Sequence, residues 1–321
     1  MRKVINRANI IGRINDHKLV QKTVQKQGDN FGKPFIMGSL DIVTDDDGLN
    51  VVTVYYRYVT EYYSSGKKNN TYDILKNIAE GKVKTVMSDG FENAAIVKCD
   101  TSIAINDFYV HEGSEDRLVS AKRLEGGFVS NISKDKMPAP EKRNAFECDM
   151  LILGATVIEA DEEKGIEEDY LKIKGNTFAF NNAAIPVEFI IKDKNGMKYF
   201  ESLDASPSNP VFTKVWGNIK SQTIVDRREE ESAFGGPSIK EYEKVIKEWL
   251  IIGASPNNYE IGDAENGITP EEWTKIKADR ETHLAEVKKN QEEYEASKNS
   301  LPFGDSKSTT SAPAAAGGFN F

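Results

Sequence analysis

The chain has 321 residues, 39% of them hydrophobic and 29% charged, with a formal net charge of -9. That is length enough for two domains with their own cores, and no stretch reaches the roughly 20 apolar residues a membrane span requires. The only cysteines, Cys99 and Cys148, lie far apart and outside any C-x-x-C pair, which reads as two ordinary core or strand residues in a reduced, cytoplasmic compartment.

The charge is uneven. Residues 1–144 carry 22 Lys and Arg against 19 Asp and Glu, residues 145–260 carry 13 against 21, and residues 261–321 carry 7 against 11. The front of the chain is mildly basic and the acid is pushed toward the end, a distribution that suits a front half meeting phosphate. The first residues, MRKVINRANIIGRI, have an apolar part broken by Asn and Arg and do not read as a secretory signal.

In chain order, VINRANIIGRI, KLVQKTVQKQG, FIMGSLDIVT and LNVVTVYYRYV are β-prone, separated by the turn clusters GDNFGKP and TDDDG. SSGKKNNTYDILKNIAEG reads as a loop and a short helix, with Thr71 placed to cap it and Ile74, Leu75 and Ile78 as its apolar face. Two further β-prone runs follow, NAAIVKCDTSIAINDFYV and LVSAKRLEGGFVSNI. Three strands, a helix and two strands is the element order of the five-stranded oligonucleotide-binding (OB) barrel. After the polar stretch SKDKMPAPEKRN the order returns: three β-prone runs, NGMKYFESLDA as the intervening helix, then VFTKVWGNIKSQTIVD and SIKEYEKVIKEWLIIGA. The expected fold is therefore mainly β: barrel 1 over residues 1–132, a linker over 133–144, barrel 2 over 145–260, a helix over 261–299 and a disordered tail over 300–321. The repeat is one of element order only.

The helix has a clear start. Thr269 is the expected N-cap, Pro270 the first helical residue and Glu272 the capping-box partner. Trp273, Ile276, Leu284, Val287 and Tyr294 then fall on one stripe, with Arg280 and Gln291 in the same seam; packing on the barrels and packing on a partner helix are both open. The last segment is rich in Ser, Ala, Gly and Pro.

Single strands are held by cations for phosphates and flat aromatic side chains for bases, and period-two alternation marks which residues face outward. In LNVVTVYYRYV, Val52, Val54, Tyr56 and Tyr58 form the expected core set, leaving Tyr55 and Arg57 facing a ligand. Arg7 and Arg13 share a face in the first strand. In barrel 2, Tyr170, Lys172, Lys174 and Phe178 face away from Leu171 and Ile173, and Lys214, Trp216 and Lys220 alternate with Val215 and Ile219. Lys33, beside Phe31 in the glycine-flanked turn at 28–34, joins the set. For Trp216 both base stacking and cover by a loop are open; for Tyr55, both a ligand role and a half-buried barrel position.

The opening NRANIIGRI, with Asn6, Gly12 and Arg13, resembles the start of bacterial single-stranded DNA-binding proteins. The resemblance covers about the first 130 residues, and two barrels in one chain look like a viral or plasmid-encoded relative. It implies coating of single-stranded DNA without base specificity in replication, recombination or repair. In that family an acidic tail ending in Pro-Phe recruits replication and repair proteins. Leu301, Pro302 and Phe303 look similar to that tip, and Phe319 and Phe321 end the chain, so the resemblance implies partner binding by these residues.

No enzyme motif is evident. Gly28 to Gly32-Lys33 has the wrong spacing for a P-loop, with Pro34 where Ser or Thr belongs. His17, His111 and His283 are scattered, so no zinc site and no cofactor is expected. The acidic runs at 45–47 and 161–163 read as solvated turns. The alternatives are a viral structural or assembly protein on a β-rich scaffold, and an accessory subunit of an enzyme. Self-association is open.

Overall fold

The structure, a computed structural model, describes residues 3–299 apart from 113–114, 163–164, 231–233, 235–237 and 264. The first half begins with β1 (Asn6–His17), β2 (Val20–Thr23), β3 (Pro34–Val43) and β4 (Val51–Thr60). Helices α1 (Asn70–Ala79) and α2 (Val86–Asp89) and the long strands β5 (Ile96–Glu112) and β6 (Glu115–Asn131) complete it. β1 pairs antiparallel with both β3 and β5, β3 pairs with β4, β5 with β6, and a short parallel contact of β4 with β6 closes the ring. This is the OB topology, with α1 between the third and fourth barrel strands. Tyr72, Leu75 and Ile78 of α1 are buried in the barrel core. The helix is capped by Asn69, whose side chain accepts from Thr71 N at 3.1 Å. Thr71, the expected cap, is instead buried, and its hydroxyl accepts from Val129 N at 3.2 Å.

The second half repeats this connectivity with β7 (Asn144–Ile158), β8 (Tyr170–Phe178), β9 (Ala184–Ile191), α3 (Lys194–Ser202), β10 (Val211–Glu230) and β11 (Ser238–Ala254). β7 pairs with β8 and β10, β8 with β9, β10 with β11, and β9 meets β11 in parallel. The two barrels are thus alike in their five ring strands, as element order suggested, while β2, which pairs only with β3, has no counterpart among the described residues of the second half. A two-residue strand, β12 (Tyr259–Glu260), adds to β10, and α4 (Pro270–Asn299) follows. No helix among the described residues is long and apolar enough to cross a membrane.

The barrels meet edge to edge. β1 pairs antiparallel with β7 from Asn6↔Cys148 to Ile10↔Asn144, so all twelve strands form one sheet. One apolar core runs through both halves, from Ile10, Ile36, Leu40 and Val54 to Phe146, Ile173, Phe189 and Trp249, each side chain adding about 1.5–3 kcal/mol by leaving water. Both cysteines lie in it. The stretch at 133–144 holds two 3₁₀ turns, and Arg143 ties it to barrel 1 through Asp46 at 2.6 Å. Gly12 is needed where β1 crosses β3, because a Cβ there would lie 1.9 Å from Val43 O.

The hairpins β5–β6 and β10–β11 outrun their barrels and cross to the other half. Asn50, in barrel 1, donates to Ile219 O at 3.2 Å and accepts from Ser221 N at 2.6 Å, anchoring β10. Lys122 of β6 reaches Glu188 O in barrel 2 at 2.5 Å, its ammonium 4.9 and 4.8 Å from the Phe189 and Trp249 ring centroids. Helix α4 starts with the expected capping box, Glu272 N to Thr269 Oγ1 at 3.2 Å and Thr269 N to the Glu272 carboxylate at 3.0 Å. It packs on the protein itself: Ile276 and Trp273 meet Phe178 and Phe212, and Arg280 and Gln291 bind β5.

Candidate nucleic-acid interface

The outward residues named from sequence fall into three groups. The first lies on the third and fifth strands of barrel 1. Tyr55 points out and is 39% exposed, opposite Ser39 of β3 and beside Glu125 of β6. The Arg123 guanidinium sits 5.5 Å from the Tyr55 ring centroid. Glu125 is ion-paired with Arg57 and accepts from Arg123 at 2.9 Å, while Arg123 also donates to Asn106 at 3.2 Å. Burial, and then the neighbouring charge of Arg57, lower the pKa of Arg123, with Glu125 opposing.

A second group straddles the joint between barrels. Register places Arg7 opposite Glu147, and Glu147 opposite Trp216, so the three share the outer face. Arg7 donates to Glu147 at 2.9 and 2.5 Å, and Lys214 lies 3.4 Å from the same carboxylate. Partial burial pushes the Glu147 carboxyl up, but Arg7 and then Lys214 outweigh it and hold it below the usual range. Trp216 is 38% exposed and lies over the backbone of Gly253, where a Cβ would meet the indole at 2.5 Å. Arg7 and Trp216, assigned from sequence to different barrels, are therefore neighbours. The third group is Lys172 and Lys174 of β8, at 4.0 and 3.3 Å from Glu188 of β9, with Tyr170 at the start of the same strand. Lys220 is half-buried opposite Glu248 of β11, and Lys33 is exposed, bonded to Asn30 at 3.1 Å.

Three sequence expectations are corrected. Phe178 shares the outward parity of Lys172 but is fully buried, because the start of α4 and the segment before it cover that end of β8 with Ile268 and Ile276. Arg13 is on the outer face of β1, yet Phe91 lies over it at 4.6 Å and leaves it buried, with Glu92 at 3.7 Å. Tyr58, expected in the core, is exposed at the barrel mouth beside Phe35, past the register shift of β3 against β4 near Met37. The five tail residues Leu301, Pro302, Phe303, Phe319 and Phe321 lie outside the described residues.

Sequence reading missed Arg123, and also Tyr62, Tyr63 and Phe128, which are exposed. Arg123 is inseparable from Tyr55 only once β6 is known to lie beside β4, and that parallel pairing leaves no local signal. Tyr62 and Tyr63 extend the exposed aromatic series beyond β4, and Phe128 of β6 is 62% exposed. No group of three or more His, Cys, Asp or Glu able to hold a metal ion occurs among the described residues.

The model of the YorF family matches residues 4–292, nearly all of the described chain. This chain belongs to the YorF family. No curated protein matches it. Among solved structures, the chain is similar to the wild-type single-stranded DNA binding protein from Thermus aquaticus, at 7% identity and a TM-score of 0.44, over 83% of this chain and 98% of that one. A deletion mutant of the same protein gives 8% identity and 0.44, over 83% and 100%. A replication protein A heterotrimer bound to ssDNA gives 9% and 0.21, over 76% and 49%.

Proposed function

We propose that this YorF-family chain binds single-stranded DNA without base specificity and without catalysis, in replication, recombination or repair. The carrying observation is Tyr55, exposed on the third strand of an OB barrel with Arg57 and Arg123 around it. The second- and third-strand face is where OB barrels hold oligonucleotides. An aromatic face for a base, flanked by cations for phosphates, is the pair of features a single strand needs. Tyr58, near the end of β4, and Tyr62 and Tyr63, just past it, add further exposed aromatic surface. Trp216 with Arg7 and Lys214 supplies the same chemistry at the joint between the barrels, so a strand has more than one place to rest. Partner recruitment by the tail and self-association belong to the same proposal.

The test is anisotropy of a labelled oligo-dT titrated with the full chain at low and high salt. Binding that falls steeply with salt is expected, since phosphate contacts release counterions. Tyr55→Ala should weaken it by about 1–3 kcal/mol, the range for one stacked base. No binding at low salt overturns the proposal. Binding that Tyr55→Ala leaves unchanged moves the strand off this face.

A further inference from the structure

The three outward groups share one construction. In each, a single glutamate lies between two cations: Glu125 between Arg57 and Arg123, Glu147 between Arg7 and Lys214, Glu188 between Lys172 and Lys174. The glutamates come from β6, β7 and β9, and their cations from the same or neighbouring strands. Two of the three carry an exposed aromatic ring alongside, Tyr55 and Trp216. Stability does not account for the arrangement, because partly exposed ion pairs add little. A carboxylate and a phosphate, however, present the same kind of oxygen to the same donors. Glu80, between Lys76 and Lys82 at the end of α1, has the same two-cation form but lies off the strand faces.

Resting on the strand-binding reading above, we propose that Glu125, Glu147 and Glu188 occupy the positions of backbone phosphates and are displaced when a single strand binds. Each carboxylate keeps its two cations gathered while the face is empty. It then competes with the incoming phosphate, so binding is weaker and more readily reversed than the six cations alone would give. Each group carries a residual charge of one cation, which lets a chain of net charge -9 meet DNA locally without a large basic surface.

The experiment measures affinity of the full chain for labelled oligo-dT, for wild type and for Glu125→Gln, Glu147→Gln, Glu188→Gln and Glu80→Gln. All four remove one negative charge from between two cations. The three strand-face variants should bind roughly three- to fivefold tighter at low salt, the factor corresponding to release from an exposed ion pair. The gain should shrink at high salt, where such pairs are screened. Glu80→Gln should stay near wild type. Equal tightening by Glu80→Gln, or unchanged or weaker binding by the strand-face variants, overturns the inference while wild-type binding keeps the strand-binding reading. Absence of binding by wild type and every variant removes that reading itself. Thermal melting of each variant establishes that all are folded.

Discussion

Phe178 and Tyr55 are both aromatic, both on barrel strands and both of outward parity, yet one is fully buried and the other exposed. Alternation along a strand says which face a side chain is on, but whether that face meets water depends on what packs over it. Phe178 is sealed beneath Ile268 and Ile276, with its ring centroid 6.2 Å from that of Phe212. Phe178→Ala should therefore cost about 3–5 kcal/mol of stability, the range for a buried phenylalanine. A urea titration reads this directly. Affinity for oligo-dT, measured well below the transition, should stay within twofold of wild type; loss of binding by a folded variant would return Phe178 to the site. Arg13 follows the same logic: Phe91 covers it, and its Nε is buried without a hydrogen-bond partner.

Helix α4 shows what an element-level pattern does and does not reveal. Its stripe was legible, with Trp273, Ile276, Arg280 and Gln291 in one seam, and so was its capping box. What covers the seam was not, since β5 lies more than 150 residues earlier and the pairing groups are mostly polar. Arg280 donates to Asp107 at 2.5 and 2.6 Å, and the Gln291 amide bonds both Tyr109 N and O, at 2.9 and 2.8 Å. The barrels divide in the same way. Alternating Val, Ile and Tyr runs and turn clusters disclosed eleven β-prone runs and the helix within each barrel, but the β1–β7 joint and the crossing hairpins rest on contacts far apart in sequence. The far end of α4 is fastened by His111, which meets Glu295 at 3.0 Å and Asp116 at 2.5 Å, with Lys288 also on Asp116 and Gln291 on Glu295. Glu295, then Asp116, raise the His111 pKa. A raised folded value means this fastening is complete below the unfolded value of about 6.5 and fades as pH rises through the folded one. Hydrogen exchange at the last turns of α4, corrected for intrinsic rate, should accelerate as pH climbs from 6 to 8.5. A His111→Gln variant should lack that acceleration, and equal behaviour of the two would place the fastening elsewhere.

Across the whole molecule, two barrels are held in one orientation by a shared strand pair and by two hairpins that each reach into the other half. The Asn50 contact is polar and buried, so Asn50→Ala strands Ser221 N without its acceptor and should cost about 1–3 kcal/mol. Its readout is faster amide exchange at Ser221. The Lys122 contact is the more informative, because it titrates. The amine lies over the Phe189 and Trp249 rings, which with Glu188 O, its acceptor, line the slot it enters. Burial pushes its pKa down to about 7, against the smaller opposing pull of Glu188; the ring faces also favour the cation. The unfolded lysine titrates near about 10.4. Between these two values the unfolded chain holds a proton that the folded chain has given up, so stability rises with pH through that window. Below it the folded chain bears the desolvation of a partly buried cation. Lys122→Met keeps the length and apolar stem, fills the slot against the same rings and removes the titration. Urea midpoints at pH 6.5 and pH 9.5 should therefore show the methionine variant at least as stable as wild type at the lower pH, with wild type gaining on it at the higher. A difference between the two proteins that does not change with pH would mean that Lys122 stays charged in the slot, and that its grip on barrel 2 is made by the cation and the ring faces.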